Sequence, residues 1–579
     1  MSKAITKKFT NSVEDFVDDS LRGLLSANRH LTFLNDYPRV VVRRTVEDGK
    51  VTLLAGGGSG HEPFPAGFVG SNLLSAAVCG NIFASPPSSH IVAALNAIEN
   101  ECGTVIFVIN YTGDRLNFGL AIERINSERS KTLIPVEMVV IGDDIAFDGN
   151  DSTFAIGRRG LAGAVFVLKI AGGMAEKGLN LKEIVKESRL VEENTATIGS
   201  SLLACSLPGK GRMFELKEEE MELGLGIHGE IGYERIHFTS ARELIDLLIS
   251  KIEKNKKFSL EKGCEIVLLL NNLGSCSQIE MNLLAGEVNN SMRWRGFTVV
   301  RFYSGAFVTS LDGHGISISV LKLIDDSWLE YLDAETNASG WIKGCVPSVN
   351  EVVGVKMKYS TKIDLEYGTA LSADNARKFS LCIRNASNAI LDAVEELNRL
   401  DSEVGDGDCG TTLKQGAKSI ISALDMDKLI CNRPCATFQQ LSHIFEDVVG
   451  GTAGALYALM FNAASQNFSN SASSADWGSA LKSGLDGIMK YGHAKPGDRS
   501  MVDPLYEASK SIIDGPMGEA EWGNVVKMAE DAVNSTRNMR ARCGRASYTN
   551  VISQIEPDPG AKAVAIWLRA IYKTFYGKN

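Results

Sequence analysis

The segment Val51-Thr-Leu-Leu-Ala-Gly-Gly-Gly-Ser-Gly-His-Glu62 decides the fold class, because an apolar, strand-like run leads directly into a cluster of glycines. A glycine-rich turn at the carboxyl end of a strand leaves backbone N–H groups free to face a ligand, as in open α/β sheets. The segment is not a Walker A loop, since no Gly-Lys-Ser/Thr follows, and it lacks the usual setting of Gly-x-Gly-x-x-Gly. It therefore predicts a sheet with a binding turn over residues 56–62, while a merely flexible loop remains the alternative.

Strand-like and helix-like segments alternate on both sides of this segment, through residues 1 to about 190. A helical spacing covers residues 89–98, and strands are predicted at residues 39–43, 50–55, 104–109 and 135–141. Such alternation predicts a parallel α/β sheet. Further strands at residues 266–270 and 298–303 predict a second α/β lobe within residues 200–340.

The pattern changes from Ser372 onward, where long amphipathic segments are separated by glycine-rich turns. Apolar positions recur every three and four residues, for example over residues 374–400 and 477–491, and strand signals are nearly absent. This pattern predicts an all-α domain. We therefore expect an α/β domain of two lobes over residues 1–340, a linker over residues 341–371 and a helical domain over residues 372–579.

Composition limits the classes of protein that need to be considered. The 579 residues carry 60 Lys+Arg and 70 Asp+Glu, a net charge of −10, which disfavours general nucleic-acid binding. No apolar run approaches the roughly 20 residues of a membrane span, and the first eight residues lack the apolar stretch of a signal peptide. The 11 cysteines are scattered singly, as is typical of reduced thiols. We expect a cytosolic protein that binds neither nucleic acid nor membrane.

Two further clusters carry side chains suited to acid–base chemistry. Asn110 and Asp114 follow the predicted strand at residues 104–109, at the sheet edge where ligands gather in open α/β folds. His228 lies in Gly224-Leu-Gly-Ile-His-Gly-Glu230, where glycines give the imidazole room to reach a ligand. With His61 it offers two imidazoles for proton transfer or nucleophilic attack. The alternatives are an N-capping role for Asp114 and a structural role for the isolated His228.

The most specific motif is Leu400-Asp-Ser-Glu-Val-Gly-Asp-Gly-Asp-Cys-Gly-Thr-Thr412, which presents Asp401, Asp406 and Asp408 within eight residues. Three carboxylates so close together repel one another unless a cation neutralises them, and hard oxygen ligands suit Mg²⁺ with bound phosphates. An EF-hand would need a twelve-residue loop ending in Glu, which is absent here. A solvated acidic loop remains the alternative. Residues 410–412 could open the next helix, whose N-terminus favours phosphate, and Arg499 is a candidate phosphate clamp.

Eight ordered motifs together resemble the ATP-dependent dihydroxyacetone kinase family in its single-chain form, over nearly the whole chain. The resemblance is strongest to the animal members that combine triokinase and FMN cyclase activities. The motifs are Gly56-Gly-Gly-Ser-Gly-His-Glu-Pro63, Gly80-Asn-Ile-Phe-Ala-Ser-Pro86, Asn110-Tyr-Thr-Gly-Asp114, Gly157-Arg-Arg-Gly-Leu-Ala-Gly163, Gly226-Ile-His-Gly-Glu230, Gly405-Asp-Gly-Asp-Cys-Gly-Thr-Thr412, Gly544-Arg-Ala-Ser-Tyr548 and Asp558-Pro-Gly-Ala561.

The resemblance implies roles for particular residues and a helical-barrel nucleotide domain. His228 would capture the carbonyl carbon of dihydroxyacetone as a covalent hemiaminal, with His61 and Asp114 as acid–base partners. Asp401, Asp406 and Asp408 would hold the metal on the nucleotide phosphates. The implied substrate-binding residues are Gly56, Gly57, Gly58, Ser59 and Asn110. The implied nucleotide-binding residues are Asp401, Ser402, Glu403, Val404, Cys409, Gly410, Thr411, Thr412, Gly451, Thr452, Arg499, Asp558, Pro559 and Gly560.

The same resemblance implies ATP-dependent phosphorylation of dihydroxyacetone and D-glyceraldehyde with Mg²⁺, together with cleavage of FAD into AMP and cyclic FMN with Mn²⁺ or Co²⁺. It also implies a homodimer and, as a protein partner, an antiviral RNA-helicase sensor. Two positions depart from the family pattern: Ile109 replaces a lysine and Ala453 replaces a serine. The alternative function is therefore a kinase-impaired homologue that acts as an FMN cyclase or as a regulatory binding protein.

Overall fold

A computed structural model describes residues 6–128, 134–147, 157–348, 354–355, 362–544, 547 and 555–577. The chain separates into two units, Met1–Gly354 and Val355–Asn579. The first unit contains two β-sheets with helices, and the second is helical throughout its described residues. The predicted fold class, an α/β region of two lobes followed by an all-α region, is confirmed.

The first sheet has six strands in the order β1-β2-β4-β3-β5-β6. Strands β3, β4, β5 and β6 pair in parallel, whereas β2 is antiparallel to both β1 and β4. The sequence predicted a parallel sheet, but the sheet is mixed, because β1 and β2 form an antiparallel hairpin at one edge. Its strands are β1 (Leu31–Leu34), β2 (Tyr37–Arg43), β3 (Thr52–Ser59), β4 (Ala76–Ile82), β5 (Thr104–Ile109) and β6 (Val136–Ile141). Its helices are α1 (Phe16–Ala27), α2 (Ser88–Ala97), α3 (Thr112–Glu128), α4 (Ala164–Glu176) and α5 (Leu181–Glu193).

The second sheet has the order β11-β10-β12-β7-β8-β9. Strands β10 and β11 are parallel, and the other neighbouring pairs are antiparallel. Its strands are β7 (Thr195–Leu203), β8 (Glu220–Leu223), β9 (Glu234–His237), β10 (Glu265–Asn272), β11 (Thr298–Gly305) and β12 (His314–Lys322). The accompanying helices are α6 (Ala241–Glu253), α7 (Gln278–Trp294) and α8 (Ser327–Asp333).

Helix α4 joins the two sheets into one hydrophobic core. Its residues 164–175 are all buried, and a helix that is apolar all round belongs in a protein interior. The core around it includes Leu53 and Val105 of the first sheet and Leu269 of the second. The loops that leave both sheets at this interface are therefore held on a common scaffold.

The glycine-rich segment is part of a strand over most of its length. Strand β3 continues through Ser59, because Gly56 and Gly57 stay in register with Val78 and Cys79 of β4. The predicted strand at residues 50–55 is correct, but the predicted binding turn over residues 56–62 begins only at Gly60, whose φ is +101°. The pairing of β3 with strands on both sides overrides the low strand propensity of glycine.

The second unit contains nine α-helices among its described residues. The predicted helix over residues 374–400 is two helices, because Ala393 adopts φ −95° and ψ 3° between them, while residues 477–491 lie within one helix as predicted. The helices are α9 (Ala373–Asp392), α10 (Val394–Ser402), α11 (Cys409–Asp425), α12 (Pro434–Ile444), α13 (Gly451–Ser465), α14 (Ser474–Gly492), α15 (Val502–Lys510), α16 (Glu519–Ser535) and α17 (Pro559–Tyr576). All of these helices except α10 and α15 contribute to the lining of an apolar cavity of about 410 Å³, with side chains such as Phe379, Trp477 and Trp567.

The described parts of the predicted linker, residues 341–371, pack on the adjoining units. The Trp341 ring contacts the rings of Tyr303 and Phe307 in the first unit. The backbone of Cys345 forms an isolated antiparallel β-bridge with that of Phe302. Toward the other end, the amide of Thr369 donates to the carbonyl of Phe468. The boundaries at residues 340 and 372 stay predictions. Over the described residues, none of the helices combines the length and apolar character that crossing a membrane requires.

Candidate active site and nucleotide site

The first candidate site lies where loops from the two sheets of the first unit meet. His61 follows β3, Phe83 follows β4, and Tyr111 follows β5. From the second sheet, His228 lies in the connection between β8 and β9, and Thr309 follows β11. The carboxyl ends of the parallel strands β3, β4 and β5 bring His61, Phe83 and Tyr111 to one edge of the first sheet, as is usual in open α/β sheets. His228 and Thr309 come from more than a hundred residues further along the chain.

His61 is held as a neutral imidazole with one free nitrogen. Its Nδ1 lies 2.9 Å from the carbonyl oxygen of Thr309, and because a carbonyl only accepts, Nδ1 carries the proton. Nε2 is buried and has no hydrogen-bond partner among the described residues. Burial, and secondarily the neighbouring His228, lowers the pKa of His61 to about 3. His61 can therefore accept a proton or a substrate hydroxyl at Nε2.

His228 stands among three aromatic rings and remains partly accessible. Its ring centroid lies 4.3 Å from that of Tyr111, 4.8 Å from that of His61 and 5.3 Å from that of Phe83. Burial lowers the pKa of His228, the carboxylate of Glu230 raises it and the cation of Arg159 lowers it. With its side chain 22 % exposed, the neutral imidazole is available to an electrophile.

Asp114 is a buried carboxyl group in the first turn of helix α3. It is 5 % exposed, and its Oδ1 has no hydrogen-bond partner within the described structure. Burial raises the pKa of Asp114 to about 6, against the opposing effect of the Ser85 hydroxyl. A carboxyl group tuned in this way suits general acid–base work near neutral pH.

The three glycines before Ser59 differ in the space that a side chain would find at each position. A Cβ on Gly56 would lie 2.5 Å from the carbonyl oxygen of Val78, and one on Gly58 would lie 2.7 Å from the amide nitrogen of Ala84. A Cβ on Gly57 would meet nothing closer than 3.8 Å and would lie 3.9 Å from Oδ1 of Asp114. Of the three, Gly57 thus has the open space that a substrate would fill, whereas Gly56 and Gly58 are explained by packing of the chain.

The other predicted substrate-side residues are engaged in the scaffold. Ser59 donates its hydroxyl to the carbonyl of Gly80 at 2.8 Å, and Asn110 donates its amide to the carbonyl of Arg158 at 2.6 Å. Ile109 is 4 % exposed within the apolar core. Its Cγ2 would lie 2.5 Å from a Cβ added to Gly160. The lysine expected from the family is thus replaced by a side chain that packs against backbone.

Sequence reasoning missed the aromatic wall of this site. Phe83 adopts φ +55°, rare for a bulky residue, and its ring stacks on His61 at 5.1 Å. A Cβ on Gly60 would lie 2.8 Å from this ring, so Gly60 makes room for it. Phe83 and Tyr111 lie in motifs that the sequence singled out, but nothing in those motifs assigned their rings to the site, and Thr309 lies in no motif.

The acidic motif of the second unit forms one compact cluster. Asp401 lies in the last turn of helix α10, Asp408 immediately precedes helix α11, and Asp406 lies between them. One carboxylate oxygen of each lies within 4.8 Å of the others. Gly405 lets the loop close on Asp401, because a Cβ there would lie 2.4 Å from Oδ1 of Asp401. Three convergent carboxylates fit a hard divalent cation.

Helix α11 begins at Cys409 as predicted, but several of its first amides are already used. Oδ2 of Asp401 accepts from the amides of Asp408 and Cys409 at 2.9 and 3.1 Å. Oδ1 of Asn398 accepts from the amide of Thr411 at 3.0 Å. The amide of Thr411, one of those predicted to contact a phosphate, is thus already hydrogen-bonded. The bonds from the amides of Asp408 and Cys409 hold the Asp401 carboxylate in place. Of the remaining predicted contacts, Val404 is buried, whereas Ser402 and Glu403 are exposed and Thr412 is half-buried.

The other predicted nucleotide residues lie at helix starts. Helix α13 begins at Gly451 and Thr452, and no side chain caps it, so its first amides fit an anion. Ala453, in the same turn, supplies no hydroxyl.

Burial, with help from the neighbouring aspartates, raises the pKa of the Cys409 thiol to about 12, which keeps it protonated.

Arg499 and Asp558 are buried polar residues, and the charges of Arg499 and of Asp401 in the acidic cluster both act on Asp558. Arg499 is 1 % exposed, and its Nε and Nη1 have no partner among the described residues, while Nη2 donates to the carbonyl of Glu556. Asp558 caps helix α17, which continues with Pro559 and Gly560. Burial raises the pKa of Asp558 to about 6; the cation of Arg499 lowers it and the carboxylates of Asp503 and Asp401 raise it. A buried guanidinium with unused donors fits a phosphate.

One motif falls largely outside the described residues. In Gly544-Arg-Ala-Ser-Tyr548, positions 545, 546 and 548 are not described. In Gly157-Arg-Arg-Gly-Leu-Ala-Gly163 all seven are described, and Arg159 there pairs with Asp144 at 2.7 Å.

Comparison with known proteins matches both units to established families. Residues 22–340 match the Dak1 domain and residues 403–573 the DAK2 domain. The chain is 39 % identical to human triokinase/FMN cyclase over 577 residues, covering 98 % of this chain and 99 % of that protein. It is 34 % identical to dihydroxyacetone kinase 1 of Saccharomyces cerevisiae, covering 96 % and 98 %. The crystal structure of the C. freundii dihydroxyacetone kinase with AMP-PNP and Mg²⁺ aligns with a TM-score of 0.73 at 31 % identity, covering 98 % and 99 %.

Proposed function

The chain belongs to the dihydroxyacetone kinase family, and on this basis we propose that it transfers the terminal phosphate of ATP to dihydroxyacetone and D-glyceraldehyde. The first unit would bind the triose and the second the nucleotide. The observation that carries the proposal is the arrangement of two neutral imidazoles 4.8 Å apart beside a buried carboxyl group with an unpaired oxygen. Such a site offers a nucleophile for a carbonyl carbon and bases for hydroxyl groups.

His228 is the proposed nucleophile. A neutral imidazole nitrogen adds to a ketone or an aldehyde, whereas an alcohol such as glycerol offers no electrophilic carbon. Covalent capture as a hemiaminal would therefore select short carbonyl sugars. The open space above Gly57, beside Asp114, would accept the substrate chain.

His61 and Asp114 are the proposed acid–base groups. Nε2 of His61 can accept a proton because Nδ1 already donates to Thr309. With its pKa raised to about 6 by burial, Asp114 is ionised at pH 7 and yet basic enough to take a proton from a substrate hydroxyl. A hydroxyl that loses its proton in this way is a better nucleophile toward phosphorus.

The residues of the second unit fit a metal–nucleotide complex. Asp401, Asp406 and Asp408 would hold Mg²⁺, which neutralises phosphate charge when bound. Arg499 would donate to a phosphate from its two unpartnered nitrogens, Nε and Nη1, and the uncapped start of α13 would offer amides. The predicted contacts Ser402, Glu403, Val404, Cys409, Gly410, Thr411 and Thr412 surround the acidic cluster in sequence.

A second activity is supported by the name of the human relative, triokinase/FMN cyclase. We propose that the same nucleotide site cleaves FAD into AMP and cyclic FMN with Mn²⁺ or Co²⁺ on the three aspartates. The family resemblance further suggests a cytosolic homodimer and an antiviral RNA-helicase sensor as a protein partner. Ile109 is the feature that favours weakened triose binding, because a buried aliphatic side chain replaces a cation there.

The test compares His228→Ala with wild type in both reactions. Loss of triose phosphorylation with FAD cleavage retained is expected, because FAD needs no carbonyl capture. His237→Ala, which removes an exposed imidazole at the end of β9, is the matched control and keeps both activities. Undiminished phosphorylation of dihydroxyacetone by His228→Ala would overturn the assignment.

A further inference from the structure

Glu230 folds back over the loop that carries His228. Its Oε2 accepts from the backbone amide of His228 at 2.8 Å, and its Oε1 lies 4.0 Å from Nδ1 of the same residue. Gly226 makes this possible, because a Cβ there would lie 2.1 Å from Oε1 of Glu230. The carboxylate therefore lies on the Nδ1 side of the ring.

A partly buried arginine, Arg159, contacts the Glu230 carboxylate. Nη1 of Arg159 lies 3.8 Å from Oε1 of Glu230. Arg159 is itself held by the carboxylate of Asp144 at 2.7 Å and by the carbonyl of Gly224 at 2.6 Å. Its guanidinium also lies 4.8 Å over the ring of Phe147. This row of charges, Asp144, Arg159 and Glu230, ends at Nδ1 of His228.

We propose that Glu230 is a positioning residue that selects the Nδ1–H form of His228 and takes the Nδ1 proton while Nε2 captures the substrate. The proposal rests on the proposed kinase function and names a residue to which that function assigns no role. The carboxylate lies 4.0 Å from Nδ1, too far for a hydrogen bond, but its negative charge favours the proton on that nitrogen. The lone pair is then on Nε2.

The capture step balances without any further reactant except water. Nε2 forms a bond to the carbonyl carbon as the carbonyl π pair moves onto oxygen. The ring would become cationic, but once the Glu230 side chain closes the 4.0 Å gap to Nδ1 it takes the Nδ1 proton, which leaves a neutral substituted imidazole. The new alkoxide takes a proton from water, and Glu230 returns its proton to the solvent. The product is the hemiaminal, with nothing oxidised or reduced.

The other groups that face the ring are less suited to this role. Nδ1 of His61 is engaged with Thr309, and its burial keeps that ring neutral. Burial raises the pKa of Tyr111 well above its usual value, so the phenol stays protonated. Arg159 is a cation and cannot accept a proton, and Asp114 contacts the site from helix α3 on the side of Gly57.

The experiment follows the carbonyl carbon of [2-¹³C]dihydroxyacetone by NMR in the full-length protein without ATP, across a pH series. Glu230→Gln should slow adduct formation about ten- to a hundredfold, the scale of one charge-assisted hydrogen bond. Because the Glu230 carboxylate raises the pKa of His228, its removal should also move the acidic limb of the capture rate to lower pH. Glu230→Asp retains a carboxylate, so the acidic limb of its capture rate should stay at the wild-type pH. Its rate should lie between those of Glu230→Gln and wild type.

Two comparisons separate the possible failures. Glu218→Gln, which neutralises an exposed carboxylate just before β8, should behave as wild type, and FAD cleavage should be unchanged in every variant. If Glu230→Gln forms the adduct at the wild-type rate and with the wild-type pH dependence, the role of Glu230 is overturned, while covalent capture by His228 stands. A wild-type protein that forms no adduct overturns covalent capture itself and this proposal with it.

Discussion

Replacing Asp114 by Asn should make the first unit more stable at neutral pH and the protein inactive as a kinase. Burial raises the pKa of Asp114 from 3.8 to about 6. The folded state thus binds the Asp114 proton more tightly than the unfolded state. Ionisation of this carboxyl therefore lowers the free energy of unfolding by its full amount above pH 6, and the loss shrinks as the pH falls toward 3.8. The rise from 3.8 to about 6 corresponds to about 3 kcal/mol at pH 8 and to about half of that at pH 5. The neutral amide avoids this cost.

The assay is urea unfolding of both proteins at pH 8 and pH 5, followed by hydrogen exchange in peptides of β3 and β5, which report on the first unit. The expected gain for Asp114→Asn is larger at pH 8 than at pH 5, while kcat falls by about 10²–10⁴-fold, the usual contribution of a general base. Asp143→Asn is the matched control: Asp143 is also buried but accepts from the amides of Leu161 and Gly163 and the hydroxyl of Thr197, so its loss should destabilise. A stability gain independent of pH, or a loss, would refute the reasoning from burial.

Three further changes test the remaining parts of the account. Asp408→Ala should abolish triose phosphorylation and FAD cleavage together, measured with Mg²⁺ and with Mn²⁺; survival of either at the wild-type rate would contradict a shared metal site. Arg499→Met should raise KM for ATP and for FAD, since it removes a buried guanidinium with two unused donors; an unchanged KM for both would exclude a phosphate contact. Ile109→Lys should lower KM for dihydroxyacetone about ten- to a hundredfold and leave FAD turnover unchanged; an unchanged KM would mean that the lysine does not reach the substrate.

Local patterns in the sequence were sufficient for much of the architecture. The alternation of strand and helix signals predicted the first sheet, and the three- and four-residue spacing predicted the helical unit. The acidic motif is compact because Asp401, Asp406 and Asp408 are close in sequence, so their convergence required no tertiary information.

Features that depend on tertiary pairing were not accessible in the same way. Gly56 and Gly57 read as a turn, but pairing with β4 holds them in a strand. The contact between His61 and the carbonyl of Thr309 spans 248 residues. The break at Ala393 is not marked by proline or glycine, so amphipathic spacing alone could not reveal it. Backbone geometry and long-range packing decide each of these features.

The most direct measurement incubates the purified protein with ATP and Mg²⁺ and supplies dihydroxyacetone, D-glyceraldehyde or glycerol in parallel, with FAD and Mn²⁺ as a separate reaction. The account predicts ADP and phosphorylated triose in equal amounts from the two carbonyl substrates, no phosphorylation of glycerol, and cyclic FMN with AMP from FAD. Phosphorylation of glycerol at a rate comparable to that of dihydroxyacetone, or no transfer of phosphate to either triose, would contradict it.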